Sequence, residues 1–296
     1  MSRNYRFRVV NVFAAAAATS ASRLSGNPLA VIENAQGLSE MEMQQIALQF
    51  NLSETTFVLP STDADARVRI FTTTFEMPFA GHPTLGTAHV LRALGRAGDA
   101  LRLHLNAGVI PVVAQGDAWT LTANIPTHRA YEYSRAQLAL ALGLQENDIA
   151  GEPLWMNAGV EQLIVPLANV DAVARACPQP EAFTAYCSNA REAQAYVYAF
   201  DGATRVISRY FWGQGSMISE DPGTGSACAN LGGYLVANGA RVPFRYEIHQ
   251  GSATGRPCVL YLSVDADRRI RVGGRVVEVM RGELQLDSLR AQVESG

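Results

Sequence analysis

Two short glycine-rich segments of this 296-residue chain match each other across almost half of its length. HPTLGTA at 82–88 and DPGTGSA at 221–227 share a proline, a glycine, a hydroxyl residue and the final alanine, at an offset of 139 residues (82 to 221). At the same offset, TFV at 56–58 matches AYV at 195–197, one apolar strand on another. An offset shared by separate segments indicates a duplicated unit.

The repeat predicts two halves of one topology, each with two strands, a glycine-rich turn and a helix. We place the join around residues 126–134 and expect halves at 1–128 and 129–296, with the last strands able to cross back to the first half. Apolar residues make up 48% of the chain and charged residues 17%, which is enough apolar material for a sizeable core.

Strand and helix patterns alternate along the whole chain, which predicts an α+β fold. Capping boxes at Ser39-x-x-Glu42 and Ser134-x-x-Gln137 predict helix starts, and further helices are expected over 79–95 and after Gly225. β-branched and aromatic residues predict strands at 6–13, 28–33, 55–60, 67–75, 101–105, 109–115, 118–125, 162–167, 194–200, 205–212, 245–250, 257–264 and 270–286.

Charge and cysteine content exclude several functions. The formal net charge is −3, so no basic surplus predicts nucleic acid or an anionic membrane as a partner. No apolar run approaches the roughly 20 residues of a membrane span. Four separated cysteines without a C-x-x-C pair favour reduced thiols in a cytoplasmic protein. The basic and apolar residues at 3–18 have some features of a secretory signal, but Asn11 interrupts them and an opening strand fits better.

The two matched turns predict an anion site. Each places a proline, expected at the first helical position, ahead of glycine and a hydroxyl residue, which leaves unpaired backbone amides at a helix start. Such a terminus binds carboxylate or phosphate. Two of them, facing each other across a cleft between the halves, would hold a small carboxylate. An ordinary strand-to-helix turn is the alternative for either turn alone.

Glu54, in the segment NLSET, is the candidate acid–base residue. It lies between a predicted helix and an apolar strand, where partial burial would raise its pKa toward neutrality. A solvated loop glutamate is the alternative. Ser53 lacks the G-x-S-x-G elbow of a nucleophilic serine.

Metal and cofactor motifs are missing from the sequence. His82 and His89 lie seven residues apart, too far to share a metal, and H-E-x-x-H does not occur. All basic residues are arginine, so neither a lysine Schiff base nor a P-loop is available. We therefore expect chemistry without a metal or an organic cofactor.

Four motifs in this order resemble the PhzF-like isomerase family of phenazine biosynthesis. They are VNVF…GNPLAV, LSETTFV, FAGHPTLGTAHVL and SEDPGTGSACANLGGYL. The resemblance implies the diaminopimelate epimerase-like fold, in which two pseudo-symmetric halves each wrap a curved sheet around a central helix and the active site lies in the cleft between them. It also implies a homodimer.

The resemblance further implies an acid–base isomerase with Glu54, His82 and Asp221 as its catalytic residues. The positions expected to bind substrate are Asn27, Gly81, Gly225 and Ser226. Glu54 would move a proton between carbons of a small cyclic or unsaturated amino or hydroxy acid, with a double-bond shift.

Two other functions remain open on sequence. One is a racemase or epimerase of the same fold, which would carry a thiol at each matched turn. Here those positions hold His82 and Asp221, and Cys228 is expected to be buried packing. The other is a non-catalytic protein that binds a small acid.

Overall fold

The computed structural model describes residues 2–15, 20–214 and 217–287. Within these ranges the helices are α1 (Ser20–Arg23), α2 (Glu40–Phe50), α3 (Gly81–Ala93), α4 (Arg135–Leu142), α5 (Val170–Arg175), α6 (Pro180–Tyr186) and α7 (Gly225–Ala237). The strands are β1 (Ser2–Val12), β2 (Asn27–Ile32), β3 (Thr55–Leu59), β4 (Ala66–Phe71), β5 (Glu76–Met77), β6 (Ala100–Leu105), β7 (Gly108–Gln115), β8 (Ala118–Thr122), β9 (Thr127–Ala130), β10 (Leu154–Asn157), β11 (Glu161–Pro166), β12 (Ala193–Phe200), β13 (Arg205–Gln214), β14 (Met217–Asp221), β15 (Phe244–Gln250), β16 (Cys258–Val264) and β17 (Ile270–Asp287).

All of these strands belong to one mixed sheet. β2 pairs with β3 and β4 with β6 in parallel, while β3–β4 and β4–β5 are antiparallel. The same succession recurs later: β11–β12 and β13–β15 are parallel, and β12–β13 and β13–β14 are antiparallel. Mixed pairing with interspersed helices confirms the α+β class.

The long last strand joins distant parts of the sheet. Its first part pairs with β16 and β8, and its remainder pairs with β1 in a register that runs from Val12 opposite Val276 to Ser2 opposite Asp287. β9 pairs with β10, the strand that follows it in the chain. Of these ladders, only those of β17 with β1 and β8 therefore join strands that are far apart in sequence.

α3 and α7, each thirteen residues long, lie in the largest apolar core. A Cβ at Gly86 of α3 would lie 2.5 Å from Leu29 Cδ2, and one at Gly233 of α7 would lie 2.5 Å from Pro126 Cγ. Such distances leave no room for a side chain. Glycine at these positions lets α3 approach β2 and lets α7 approach the segment just before β9.

Two smaller apolar cores lie under α2 and under α4, α5 and α6. One contains residues of α4, α5 and α6, and the other contains Met43 and Ile46 of α2. In the ranges given above, no helix combines the length and apolar composition that a membrane span requires.

Both predicted capping boxes are present. The Ser39 hydroxyl accepts the Glu42 backbone N–H, and the Glu42 carboxylate accepts the Ser39 N–H at 2.8 Å. The same reciprocal bonds join Ser134 and Gln137 at the start of α4. Asn51, at φ 51°, ends α2 in the left-handed conformation, so that the chain turns just before Glu54.

The strand predicted over 67–75 is wrong in its second half. β4 ends at Phe71, and the Thr72 hydroxyl then accepts the N–H groups of Thr74 and Phe75 at 3.1 and 3.0 Å. This local turn competes with the ladder. It returns the chain through β5 toward the start of α3.

Candidate active site

Glu54, His82 and Asp221 come from three separate elements and line one cavity. Glu54 is the last residue before β3, His82 is the second residue of α3, and Asp221 is the last residue of β14. Glu54 Oε2 lies 3.4 Å from His82 Nε2. The fold therefore brings together the three side chains that the sequence predicted as catalytic.

The Glu54 side chain is 15% exposed, so it is not the solvated loop residue of the alternative interpretation. Within the described chain, Glu54 Oε2 and His82 Nε2 are buried and neither has a hydrogen-bond partner. Burial raises the pKa of the Glu54 carboxyl to about 8, and the nearby negative charge of Asp221 acts in the same direction. A carboxyl with this pKa both takes and releases a proton near neutral pH.

His82 lies almost entirely out of solvent, at 6% exposure. Burial lowers its pKa to about 3, and a hydrogen bond to the backbone of Pro28 acts in the opposite direction. The imidazole is therefore neutral at pH 7, and it provides hydrogen-bonding groups rather than a positive charge.

Asp221 differs from Glu54 because both of its carboxylate oxygens accept hydrogen bonds. Oδ1 accepts from Asn27 Nδ2 at 3.0 Å, and Oδ2 accepts from the Thr224 hydroxyl. Burial raises the pKa of Asp221, while these bonds and one involving the Gly223 backbone lower it. Hydrogen bonds to the charged form stabilise an ionised acceptor.

Backbone groups orient the side chains that hold Asp221. The Thr224 N–H donates to Gln250 Oε1 at 3.2 Å, so the Gln250 amide nitrogen is left to donate to Thr224 Oγ1 at 2.9 Å. The Thr224 hydroxyl hydrogen then points to Asp221. Asn27 is oriented in a similar way, because its Nδ2 also donates to the Gly223 carbonyl at 3.0 Å.

The starts of α3 and α7 meet at this cavity. A Cβ at Gly81 would lie 3.7 Å from Gly225 Cα, so the backbones of the two helix starts contact each other through glycines. Neither N-cap residue, Ala80 or Thr224, makes a side-chain capping bond to its helix. The first N–H groups of both helices are therefore not capped by these side chains, which leaves the predicted anion site open to an anion.

The predicted position of the prolines is wrong. α3 begins at Gly81, which makes Pro83 its third residue, and Pro222 precedes α7 by three residues. The sequence repeat aligned the two prolines, but the first helical residues, Gly81 and Gly225, lie 144 positions apart rather than 139. His82 is thus inside its helix, whereas Asp221 lies ahead of the other.

The cavity has a volume of about 80 Å³. Of the predicted substrate-binding positions, Gly81, Gly225 and Ser226 line it, and Asn27 instead holds Asp221. Six lining residues were not predicted: Met77, Phe79, Ala80, Val160, Gly223 and Thr224. Five of them lie close to His82 or Asp221 in the sequence, and this proximity was the only indication that they line the site. The sequence around Val160 gave no such indication.

A larger cavity of about 490 Å³ lies at the opposite end of β2, and its lining includes Arg3, Arg6 and Arg96. Arg3 forms an ion pair with Glu42, and Arg6 with Glu283. No catalytic candidate lines this cavity. The smaller one, with a raised carboxyl pKa and two helix starts, is the candidate active site.

The structure places Cys228 and shows how possible metal ligands are distributed in the described residues. Cys228 is fully buried in α7 and burial raises the pKa of its thiol, as expected for a packing residue. In this part of the chain, no three His, Cys, Asp or Glu side chains are grouped to hold a metal ion.

Comparison with known proteins places the chain in a family. Residues 12–282 match the sequence profile of the phenazine biosynthesis-like proteins. An uncharacterised isomerase of Pasteurella multocida is 37% identical, and the alignment covers 99% of this chain and 98% of that protein. The trans-2,3-dihydro-3-hydroxyanthranilate isomerase of Pseudomonas aeruginosa is 36% identical, over 87% of this chain and 89% of its own.

A solved structure supports the same assignment. The PhzF-family phenazine biosynthesis protein of Bacillus anthracis superposes with a TM-score of 0.81 at 26% identity, over 96% of this chain and all of that one. The predicted enzyme class, an isomerase, is confirmed by the sequence relatives. The chain belongs to the phenazine biosynthesis-like (PhzF) family.

Proposed function

We propose that this isomerase moves a proton between carbons of a small cyclic, unsaturated amino or hydroxy acid, with a shift of a double bond. The observation that carries the proposal is the Glu54 carboxyl, which lies in the cavity between two helix starts with a raised pKa and a buried oxygen free of hydrogen bonds. The name of the Pseudomonas aeruginosa relative supports a dihydro-hydroxyanthranilate as the substrate class.

The reaction begins with ionised Glu54 as the base. A substrate C–H bond breaks, its proton moves to Glu54, and the electron pair shifts the neighbouring double bond. The protonated carboxyl then returns that proton to a different carbon. Substrate and product have the same atoms, so the step needs no oxidant or reductant.

His82 and Asp221 orient the substrate for this transfer. The neutral imidazole lies 3.4 Å from the Glu54 carboxyl. Its Nε2, which has no partner in the described chain, would form a hydrogen bond with the substrate near the reacting carbons. The Asp221 carboxylate accepts from the amino or hydroxyl group of the substrate. Its position is fixed by Asn27 and Thr224, and preorganised groups of this kind avoid reorganisation during the reaction.

Backbone amides at the starts of α3 and α7 bind the substrate carboxylate. Gly81, Gly225 and Ser226 supply N–H groups where the two helix dipoles converge. We assign the carboxylate here because no arginine lines this cavity in the described chain. Met77 and Phe79 provide the apolar wall against which a ring packs.

The repeated pairing of strands supports a duplicated architecture for this site. We infer two pseudo-symmetric halves of diaminopimelate epimerase-like topology, 1–128 and 129–296, each around its own helix, α3 or α7. The family resemblance also supports a homodimer, and the separated cysteines support a cytoplasmic location. Light scattering after size-exclusion chromatography tests the assembly, and a mass of one chain would contradict it.

The experiment that tests the function is incubation with trans-2,3-dihydro-3-hydroxyanthranilate in D₂O, followed by NMR. We expect a shifted double bond, with deuterium at the receiving carbon only in those turnovers in which the protonated Glu54 carboxyl exchanges with solvent before it returns the proton. Deuterium at the α-carbon without a double-bond shift would favour the racemase or epimerase alternative. Binding without a double-bond shift and without exchange of any carbon-bound hydrogen would favour the non-catalytic alternative.

A further inference from the structure

Ser226 lines the cavity through the first turn of α7, and its hydroxyl contacts a buried amide behind it. Gln162 Nε2 donates a hydrogen bond to Ser226 Oγ at 3.0 Å. Gln162 is 2% exposed, and it lies on β11, a strand that contributes no other side chain to the proposed reaction. The direction of this bond decides what the serine hydroxyl offers to a ligand.

Backbone groups fix that direction. The Ala158 N–H donates to Asn230 Oδ1 at 2.8 Å, and Asn230 Nδ2 donates to the Val160 carbonyl at 2.9 Å. A backbone N–H is only a donor and a carbonyl only an acceptor. The fully buried Asn230 amide therefore has one allowed orientation.

Asn230 passes this constraint to Gln162. Its Nδ2 donates to Gln162 Oε1 at 2.8 Å, so the nitrogen of the Gln162 amide must be the atom that meets Ser226. Since Ser226 Oγ accepts from Gln162, the single hydroxyl hydrogen of the serine is left for another acceptor. Because Ser226 lines the cavity, an oxygen atom of a bound ligand can be that acceptor.

We propose that Asn230 and Gln162 are positioning residues that make Ser226 a hydrogen-bond donor to the substrate carboxylate. The hydroxyl then acts together with the N–H groups at the start of α7, and the site selects carboxylates over neutral amides. This inference rests on the proposed function for the identity of the substrate, but the direction of the hydrogen bonds is independent of turnover.

Acetate and acetamide are matched probes for this donor, because they differ in charge and in the number of acceptor oxygens. Binding is measured from the ¹⁵N–¹H shifts of Gly225 and Ser226. We expect wild type to bind acetate more tightly than acetamide. Equal binding of the two probes, or no binding of acetate, would overturn the proposal.

Gln162→Met removes the amide and keeps the length of the side chain. We expect acetate affinity to fall roughly fivefold, the factor that corresponds to one net hydrogen bond. Ser226→Ala should cause a similar loss. In the Ser226→Ala background, Gln162→Met should then cost nothing further, because the hydroxyl that it positions is gone.

A purely structural role for Gln162 predicts equal losses in both backgrounds, and that result would overturn the proposal. Gln44→Met, which removes a half-buried amide from α2, is the control and should leave acetate binding unchanged.

If Gln162→Met does not fold, Gln162→Glu replaces it. The introduced carboxylate would accept the serine hydroxyl hydrogen, so acetate affinity should fall more in the Ser226 background than in the Ser226→Ala background.

Kinetics with trans-2,3-dihydro-3-hydroxyanthranilate separate this inference from the proposed function. We expect Gln162→Met to raise KM by about the same factor as the acetate dissociation constant and to leave kcat within about twofold. Wild type that binds acetate through Ser226 but does not convert this compound would contradict the proposed substrate and leave the positioning of Ser226 standing. A fall in kcat with unchanged KM would count against the positioning role.

Discussion

Glu54 and Asp221 are two buried carboxyl groups beside the same cavity, yet their surroundings differ. The buried oxygen of Glu54 has no hydrogen-bond partner in the described chain, and the pKa of this group rises to about 8. Both oxygens of Asp221 accept hydrogen bonds, which oppose the effect of burial. Burial without partners yields a group that exchanges protons, whereas burial with partners yields a fixed acceptor.

The difference predicts that Glu54→Gln has the largest effect on turnover. The amide cannot take up a proton from carbon, so we expect kcat to fall by roughly 10²–10⁴-fold while the fold is retained. The measurement is conversion of trans-2,3-dihydro-3-hydroxyanthranilate, with circular dichroism to verify folding. Glu40→Gln, at a carboxyl that is 73% exposed, is the control. Activity of the Glu54 variant close to that of wild type would refute the assignment.

Asp221→Asn should have a smaller effect of a different kind. It removes a charged acceptor, and we expect kcat/KM to fall roughly 10–100-fold, as for the loss of a hydrogen bond to a charged group. Because the charge of Asp221 raises the pKa of Glu54, the pH at which Glu54 ionises should also move down. Asp171→Asn, at an exposed carboxyl, is the control. An unchanged pH profile would show that the two carboxyl groups are not coupled.

The pH profile of the wild-type enzyme should report the ionisation of Glu54. The base must be ionised, so kcat/KM should rise about tenfold from pH 7 to a plateau above the pKa of about 8. His82, whose pKa is about 3, should add no change between pH 6 and 7. Steady-state kinetics from pH 6 to 10 measure both features. A further change in kcat/KM near pH 6.5 would indicate that the His82 imidazole titrates during the reaction.

The smallest expected effect is on stability. Glu54 keeps its proton in the folded state up to about pH 8, whereas an unfolded glutamate has lost it by pH 7. Folding therefore binds a proton, and the free energy of unfolding should fall by about 1.4 kcal/mol between pH 7 and pH 9.5.

Glu54→Gln lacks this proton, so its stability relative to wild type should rise over the same interval. Urea unfolding of both proteins at the two pH values measures the difference. His82 does not contribute in this window, because its lowered pKa removes stability only as the pH falls below about 6.5. A constant difference between the two proteins would mean that the Glu54 pKa is not raised.

Local features of the fold could be predicted from the sequence. Both capping boxes, and with them the starts of α2 and α4, follow from residues three positions apart, and such short-range bonds depend little on the rest of the molecule. α5 and α6 were not predicted, because six and seven residues are too short to show a helical period.

The composition of the site was only partly predictable. The glycine-rich turns and Glu54 carried recognisable signals, but the bond from Asn27 to Asp221 joins residues 194 positions apart and depends on the arrangement of the sheet. The same is true of the hydrogen bond that Gln250, at the end of β15, donates to the Thr224 hydroxyl. The repeat located both turns but misjudged where each helix starts, since aligned prolines occupy different places relative to Gly81 and Gly225.

The pairing of β1 with the final part of β17 has a consequence for biosynthesis. Until residues 276–287 leave the ribosome, β1 has only β2 as a neighbour, and its other edge is unprotected. A nascent chain would thus complete the pairing of β1 only after β17 has been synthesised. The adjacency of Ser2 and Asp287 also makes the part between them a candidate for circular permutation, with a short linker from Asp287 to Ser2 and a new opening in an exposed loop.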